Sequence, residues 1–223
     1  MPEIIHVLNR GTDKRQIFLN DKDRLRFIHD LYELNDENQV GTEYQRYCDD
    51  IQCRHKLDRP RKILVDIHAF ALMPNHYHLL LSAQADRGIP RFMHKINMGY
   101  SKYFNIKYER KGTLFEGKYH RVSVNSEAHF IHLPYYIHCN PLDLRFPEWR
   151  NREINNYQQI LDFLETYRWS SHLDYLGKNN FPSVITKDFL LEFFDGTDGY
   201  RQKITDWFKT MNLEELAAIK LEK

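Results

Sequence analysis

Two apolar runs facing each other across a proline-asparagine step constrain this chain more than any other feature. Lys62 to Leu72 (KILVDIHAFAL) and Tyr77 to Ser82 (YHLLLS) are rich in aliphatic and β-branched residues and are separated by Met73-Pro74-Asn75-His76. Such runs read as strands. The Pro-Asn pair favours a tight turn, so the two runs predict an antiparallel hairpin.

The flanking segments supply the rest of a sheet. Ile4 to Asn9 (IIHVLN) reads as a strand closed by Arg10-Gly11-Thr12. Asn20-Asp21-Lys22-Asp23 is an N-cap signal, followed by Leu25, Ile28, Leu31 and Leu34 at spacing three, which predicts a helix. Ile89, Phe92, Met93, Ile96, Tyr100, Tyr103 and Phe104 recur at helical spacing over residues 88–108, and Lys111-Gly112-Thr113 breaks the pattern. His120 to Val124 is a last short strand, and a helix capped by Ser126 runs to Asn140 before Pro141. Strand, helix, strand, strand, helix, strand is the order of an α+β, ferredoxin-like split βαβ sheet with helices on one face. The added helix is then free to carry a residue onto the open face.

With 223 residues the chain fits one large domain with an appendage. The expected division is a catalytic sheet domain over 1–145, with residues 36–62 as a polar insertion, and a helical extension over 146–223. In the extension, helices are predicted near Tyr157 to Thr166, Lys187 to Phe194 and Thr205 to Leu221. No apolar run is long enough to span a bilayer and the first residues do not resemble a leader, so a cytoplasmic protein that does not engage membranes is expected. Three cysteines, Cys48, Cys53 and Cys139, argue for free thiols. Cys48, Cys53 and His55 lack a fourth ligand nearby for a zinc site. Net charge is only +1, yet residues 51–125 hold 14 Lys and Arg against 5 Asp and Glu. A basic middle of this kind suits a phosphate-binding face.

Within the hairpin, His76 and His78 are two apart and on a strand face the same side. Two imidazoles so placed suit Mg, Mn, Zn or a similar cation but do not complete a site. Farther along, Tyr136 and Asn140 are four apart on a helix and share a flank beside an apolar stripe of Phe130, Leu133, Pro134 and Ile137, with Tyr135 nearly opposite. Pro134 is expected to bend that helix.

Five motifs in order resemble the REP-associated branch of the single-tyrosine transposases, relatives of the small insertion-sequence transposases with a His-hydrophobe-His motif. They are HVLNRGTDKRQIFLNDKD from His6, ALMPNHYHLLL from Ala71, GTLFEGKYHRVSV from Gly112, YIHCNP from Tyr136 and YRWSSHLDYLG from Tyr167. The resemblance implies the same ferredoxin-like fold, with His76 and His78 as a metal pair, Tyr136 as nucleophile and Asn140 as third ligand. It implies binding of a DNA hairpin, REP-like or an insertion-sequence end, and cleavage of the adjoining single strand to a 5′ phosphotyrosine and a free 3′ hydroxyl. Mg2+ or Mn2+ is the implied cofactor. An ordinary phenol, with a pKa near 10, is only about 0.1% ionised at neutral pH, so such chemistry needs a cation on the phosphate.

For phosphate contacts the candidates are Arg10 and Arg15 in the first loop and Lys118 and Arg121 at the last strand, with Tyr119 or Phe115 for base stacking. Trp169 is expected to be core packing. Two other readings compete: a non-catalytic hairpin-binding protein on the same fold, and an unrelated hydrolase using His76 and His78. The latter leaves the other motifs unexplained. A monomer is expected.

Overall fold

The computed structural model describes residues 3–38, 60–124, 127–151, 153–154 and 156–210. Most of the insertion, including Cys48, Cys53 and His55, lies outside the described residues, as do Ser126 and everything after 210. Strand β1 (Ile4–Arg10) is followed by a 3-10 turn and helix α1 (Asp21–Glu33), then β2 (Val65–Met73), β3 (His76–Ala83), α2 (Gly88–Lys107), β4 (His120–Ser123) and α3 (Glu127–Cys139). Two 3-10 turns, Asn140–Leu144 and Pro147–Asn151, lead into α4 (Tyr157–Thr166), α5 (His172–Tyr175), α6 (Asp188–Phe193) and α7 (Gly196–Thr210).

The sheet order is β2-β3-β1-β4 with every pairing antiparallel, the split βαβ arrangement that the element order predicts. Only Pro74 and Asn75 form the hairpin turn, because Met73 already pairs with His76. His76 is thus the first strand residue of β3, where the sequence pattern had left it in the turn. In β2 the register slips between Ile67 and Ala69, a bulge at His68. His68 then bonds Ser82 Oγ at 2.8 Å.

Helices α1 and α2 cover one face. A capping box starts α1: Asn20 Oδ1 accepts from the Asp23 backbone N–H, and Asp23 Oδ2 accepts from the Asn20 N–H. Asp23 also takes a 2.6 Å ion pair from Lys107 and hydroxyl bonds from Tyr103 and Tyr108, which joins α1 to α2. Burial raises its carboxyl, but these donors outweigh that and hold it below the usual range. The deepest α1 residues are Phe27 and Leu31; Leu25, expected on the buried stripe, is only half-buried. Phe27 meets Tyr77 at 4.8 Å and Tyr100 at 5.1 Å between ring centroids.

The opposite face is covered by α3 and by the segments that follow it. Residues 169–171 run beside β2, with Leu72 N–H bonded to Trp169 O and Ser171 N–H to Phe70 O. Farther along, Thr186 N–H bonds Ile67 O and the Tyr175 hydroxyl bonds His68 O. An edge strand leaves backbone groups open to pairing, and these contacts close that edge. The other edge, β4, is short and carries exposed His120 and Arg121. Helix α7 begins at Gly196, nine residues before the expected Thr205. Asp195 and Gly196, both at positive φ, mark the break before it.

Candidate active site

The turn that carries His76 is fixed by the loop after β1. Ile17 and Phe18 N–H groups both bond Pro74 O, Gly11 N–H bonds Asn75 O, and the Asn75 amide donates to Lys14 O. Gly11 fits because nothing larger would: a Cβ there would lie 2.4 Å from the Arg15 carbonyl oxygen.

His76 and His78 do share a face, with ring centroids 5.0 Å apart and planes nearly perpendicular. Tyr77, between them, points to the other side, where its hydroxyl donates to Asn97 Oδ1 at 2.6 Å. Each histidine is held through Nδ1. That of His76 bonds Asn75 Oδ1 at 2.7 Å, and that of His78 lies 2.9 Å from His6 Nε2. His6 was not among the sequence candidates. Its only signal was a polar residue inside the apolar run IIHVLN, and the register that pairs Leu8 with His78 brings it diagonally alongside.

Tyr136 sits over this group. Its ring lies edge-on to His78 at 6.0 Å and to His6 at 6.4 Å. The side chain is fully buried, and its hydroxyl accepts a hydrogen bond from Arg150 Nη1 at 3.3 Å. One turn later, Asn140 donates to the Tyr136 carbonyl at 2.9 Å and accepts from Arg150 Nη2 at 3.1 Å. Arg150 is anchored on Asp143 by Nε to Oδ1 at 2.7 Å and Nη2 to Oδ2 at 2.6 Å, and Trp149 Nε1 donates to the same carboxylate. Its guanidinium lies 5.4 Å from the Tyr136 ring centre and 4.9 Å from that of Trp149. Arg150 was missed as well, since no periodicity links position 150 to position 136.

Helix α3 corrects the amphipathic pattern. It runs through Pro134 to Cys139, and Leu133, Tyr135, Tyr136, Ile137, His138 and Cys139 are all buried. Tyr135, expected opposite the apolar stripe, packs on Phe194, Tyr200 and Trp207 from the extension. His138 bonds the Tyr200 hydroxyl at 2.8 Å and Ser171 Oγ at 2.7 Å, while His172 reaches the same hydroxyl at 2.8 Å. Burial, assisted by the neighbouring His172, holds His138 well below the usual imidazole range. Burial also pushes the Cys139 thiol well up, so it stays protonated and inert.

The remaining candidates cluster partly. Arg10 ends β1, and its carbonyl accepts from Glu116 N–H. Arg15 donates to Thr12 O, whose own N–H bonds Leu114 O, so the loops carrying Arg10, Arg15 and exposed Lys118 are joined. Arg121 is exposed on β4. Phe115 is no base platform: it is buried against Tyr77 at 5.9 Å. Trp169 is buried, as expected, with Arg24 and Arg168 over its ring. Among the described residues no group of three His, Cys, Asp or Glu side chains is arranged for a metal, so a cation would depend on His76 and His78 plus a donor outside those types. No helix among the described residues is long and apolar enough to cross a membrane.

Comparison with curated proteins finds no match. A solved structure titled as a REP-associated tyrosine transposase bound to a REP hairpin is similar at 15% identity and a TM-score of 0.46, covering 84% of this chain and 86% of that one. The family model for IS200-like transposases matches residues 37–140, a stretch that includes His76, His78 and Tyr136 and ends on Asn140. The matched stretch spans just under half of the chain, and its family is the one that the ordered motifs resemble.

Proposed function

We propose that this chain cuts and rejoins single-stranded DNA next to a hairpin, with Tyr136 as the nucleophile. The observation that carries the reading is the edge-to-face cluster of His76, His78 and Tyr136 on one sheet face, with ring centroids 5.0 and 6.0 Å apart, inside the family match. Tyr136 Oη attacks the phosphorus, the bond to the 3′ oxygen breaks, and the strand leaves with a 3′ hydroxyl while its partner stays as a 5′ phosphotyrosine. The phenol's proton is lost and the leaving oxygen gains one. The reverse attack rejoins the strands without an outside energy source.

Two imidazole nitrogens and an amide oxygen can hold a divalent cation, and of Mg2+ and Mn2+ the latter accepts imidazole more readily, Mg2+ preferring oxygen donors. Because His76 and His78 each use Nδ1 in a hydrogen bond, Nε2 is the nitrogen each would offer, and the partners Asn75 and His6 fix the ring orientations. The Asn140 oxygen has two lone pairs, so it can ligate while accepting from Arg150. When bound, such a cation withdraws charge from the phosphate. Arg10, Arg15, Lys118 and Arg121 would hold the DNA backbone. All four site residues come from one chain, and we take the active form to be a monomer.

A second reading, a non-catalytic hairpin binder, is favoured by the full burial of Tyr136. Against it, the hydroxyl is bonded to a guanidinium whose side chain is 20% exposed, so a single side chain separates it from a group that solvent reaches. The test is to mix the protein with a labelled hairpin-bearing single strand and Mg2+ or Mn2+ and run a denaturing gel. An adduct that vanishes in Tyr136→Phe is expected; hairpin binding with no adduct supports the second reading.

A further inference from the structure

We infer that Arg150 is a catalytic residue that grips the scissile phosphate as Tyr136 attacks it, an assignment that rests on the strand-transfer reading. For in-line attack the phosphorus must come within about 3.5 Å of the Tyr136 oxygen. A guanidinium nitrogen already 3.3 Å from that oxygen then lies within reach of a non-bridging phosphate oxygen. Nη1 carries two N–H groups, so the one nitrogen can face both the Tyr136 oxygen and a phosphate oxygen while Nε and Nη2 stay on Asp143 and Asn140, and a charge-assisted bond from guanidinium to phosphate is among the strong ones.

The arginine is also prepared for this role. Asp143 holds it by two short bonds, Trp149 buttresses that carboxylate, and the ring faces of Tyr136 and Trp149 flank the guanidinium. A donor fixed before the reaction needs no reorganisation as charge builds on the phosphate. Its side chain is 20% exposed, so the group bonded to the buried nucleophile is itself reached by solvent. The bond to Asn140 ties the same cation to the proposed third metal ligand, so the phosphate would meet two positive groups at once. During the step Tyr136 Oη bonds to phosphorus, the bond to the 3′ oxygen breaks, and Arg150 keeps its proton throughout.

The test removes the charge from each side in turn. The cleaved linkage is first mapped with wild-type protein on a hairpin oligonucleotide that it binds. Adduct formation is then timed on that strand and on a copy with a methylphosphonate at the cleaved position, which lacks one charged oxygen. Arg150→Ala is expected to slow the phosphodiester reaction about 10²- to 10³-fold, as loss of one preorganised donor does. On the methylphosphonate its penalty should shrink to within about threefold of wild type, because the partner oxygen is already gone, with hairpin affinity changed by less than about twofold. A purely structural defect would slow both substrates equally, and equal penalties overturn the inference, as does an Arg150→Ala rate within threefold of wild type on the phosphodiester. If Arg150→Ala fails to fold, Arg150→Lys keeps a cation against Asp143 and is read by the same criterion. Wild-type protein that forms no adduct overturns the strand-transfer reading and this assignment together; wild-type adduct with equal penalties overturns this assignment alone.

Discussion

The two faces of the sheet use the same strands for opposite ends. On the side of α1 and α2, Tyr77 meets Phe27, Phe115 and, through them, Phe18 and Tyr100, a tight cluster of aromatic rings. On the side of α3, the alternate residues of β1 and β3 present His6, His76 and His78 to Tyr136. Strand alternation separates them by a single residue, so Tyr77 and its two neighbouring histidines belong to different environments. The first face is mainly apolar; the second buries several histidines and draws some of their partners, His6 for His78 and Tyr200 for His138, from distant parts of the chain. A fold can hold chemistry on one side of a sheet when the other side carries enough of the stability.

That contrast can be broken by mutation. Phe27→Ala should remove about 3–5 kcal/mol of stability in urea unfolding, because it opens a cavity in the aromatic cluster. A cost below about 1 kcal/mol would mean that the α1 face does not bear the load assigned to it. Acid should act on the other face. Burial lowers His172 from 6.5 to about 4 in the folded protein. The unfolded chain therefore binds this proton first, so stability from keeping the ring neutral is complete above pH 6.5, falls as pH drops from 6.5 to about 4, and is flat below. The loss is on the order of 3 kcal/mol. Urea midpoints measured across that window check it, and His172→Asn should reduce the slope by this share, leaving the part that the buried His138 contributes.

The smallest effect sharpens the comparison. His6→Ala should leave hairpin binding intact but raise the Mn2+ concentration needed for adduct formation about 10- to 100-fold, the usual consequence of losing a group that orients a metal ligand. Unchanged metal dependence would show that the His6–His78 bond is packing alone.

Much of the first face was legible in the sequence, because its signals are local. The hairpin, the Asn20 cap and the α2 periodicity each lie within a short window, and α4 matches its expected span of Tyr157 to Thr166. The second face was legible only in part. His76, His78, Tyr136 and Asn140 are visible as spacings, but what surrounds them is not. The partners of Tyr135 and His138 lie dozens of residues later, at Phe194, Tyr200 and Trp207, and bury on every side the second half of a helix that looks half-exposed. His6 and Arg150 escaped notice for the same reason, since strand register and a 3-10 turn bring them in. The loop composition of Asp195-Gly196-Thr197-Asp198-Gly199 hides the start of α7, which the buried Tyr200 anchors as helix.

The central claim concerns which oxygen bonds to DNA, and Tyr135 and Tyr136 stand side by side in one tryptic peptide, Val122 to Arg145. Mass spectrometry of that peptide from the covalent adduct, fragmented to locate the attached nucleotide, decides between them. The account predicts the nucleotide on Tyr136, whose ring adjoins His6 and His78; a nucleotide on Tyr135, or on a peptide elsewhere in the chain, would contradict it.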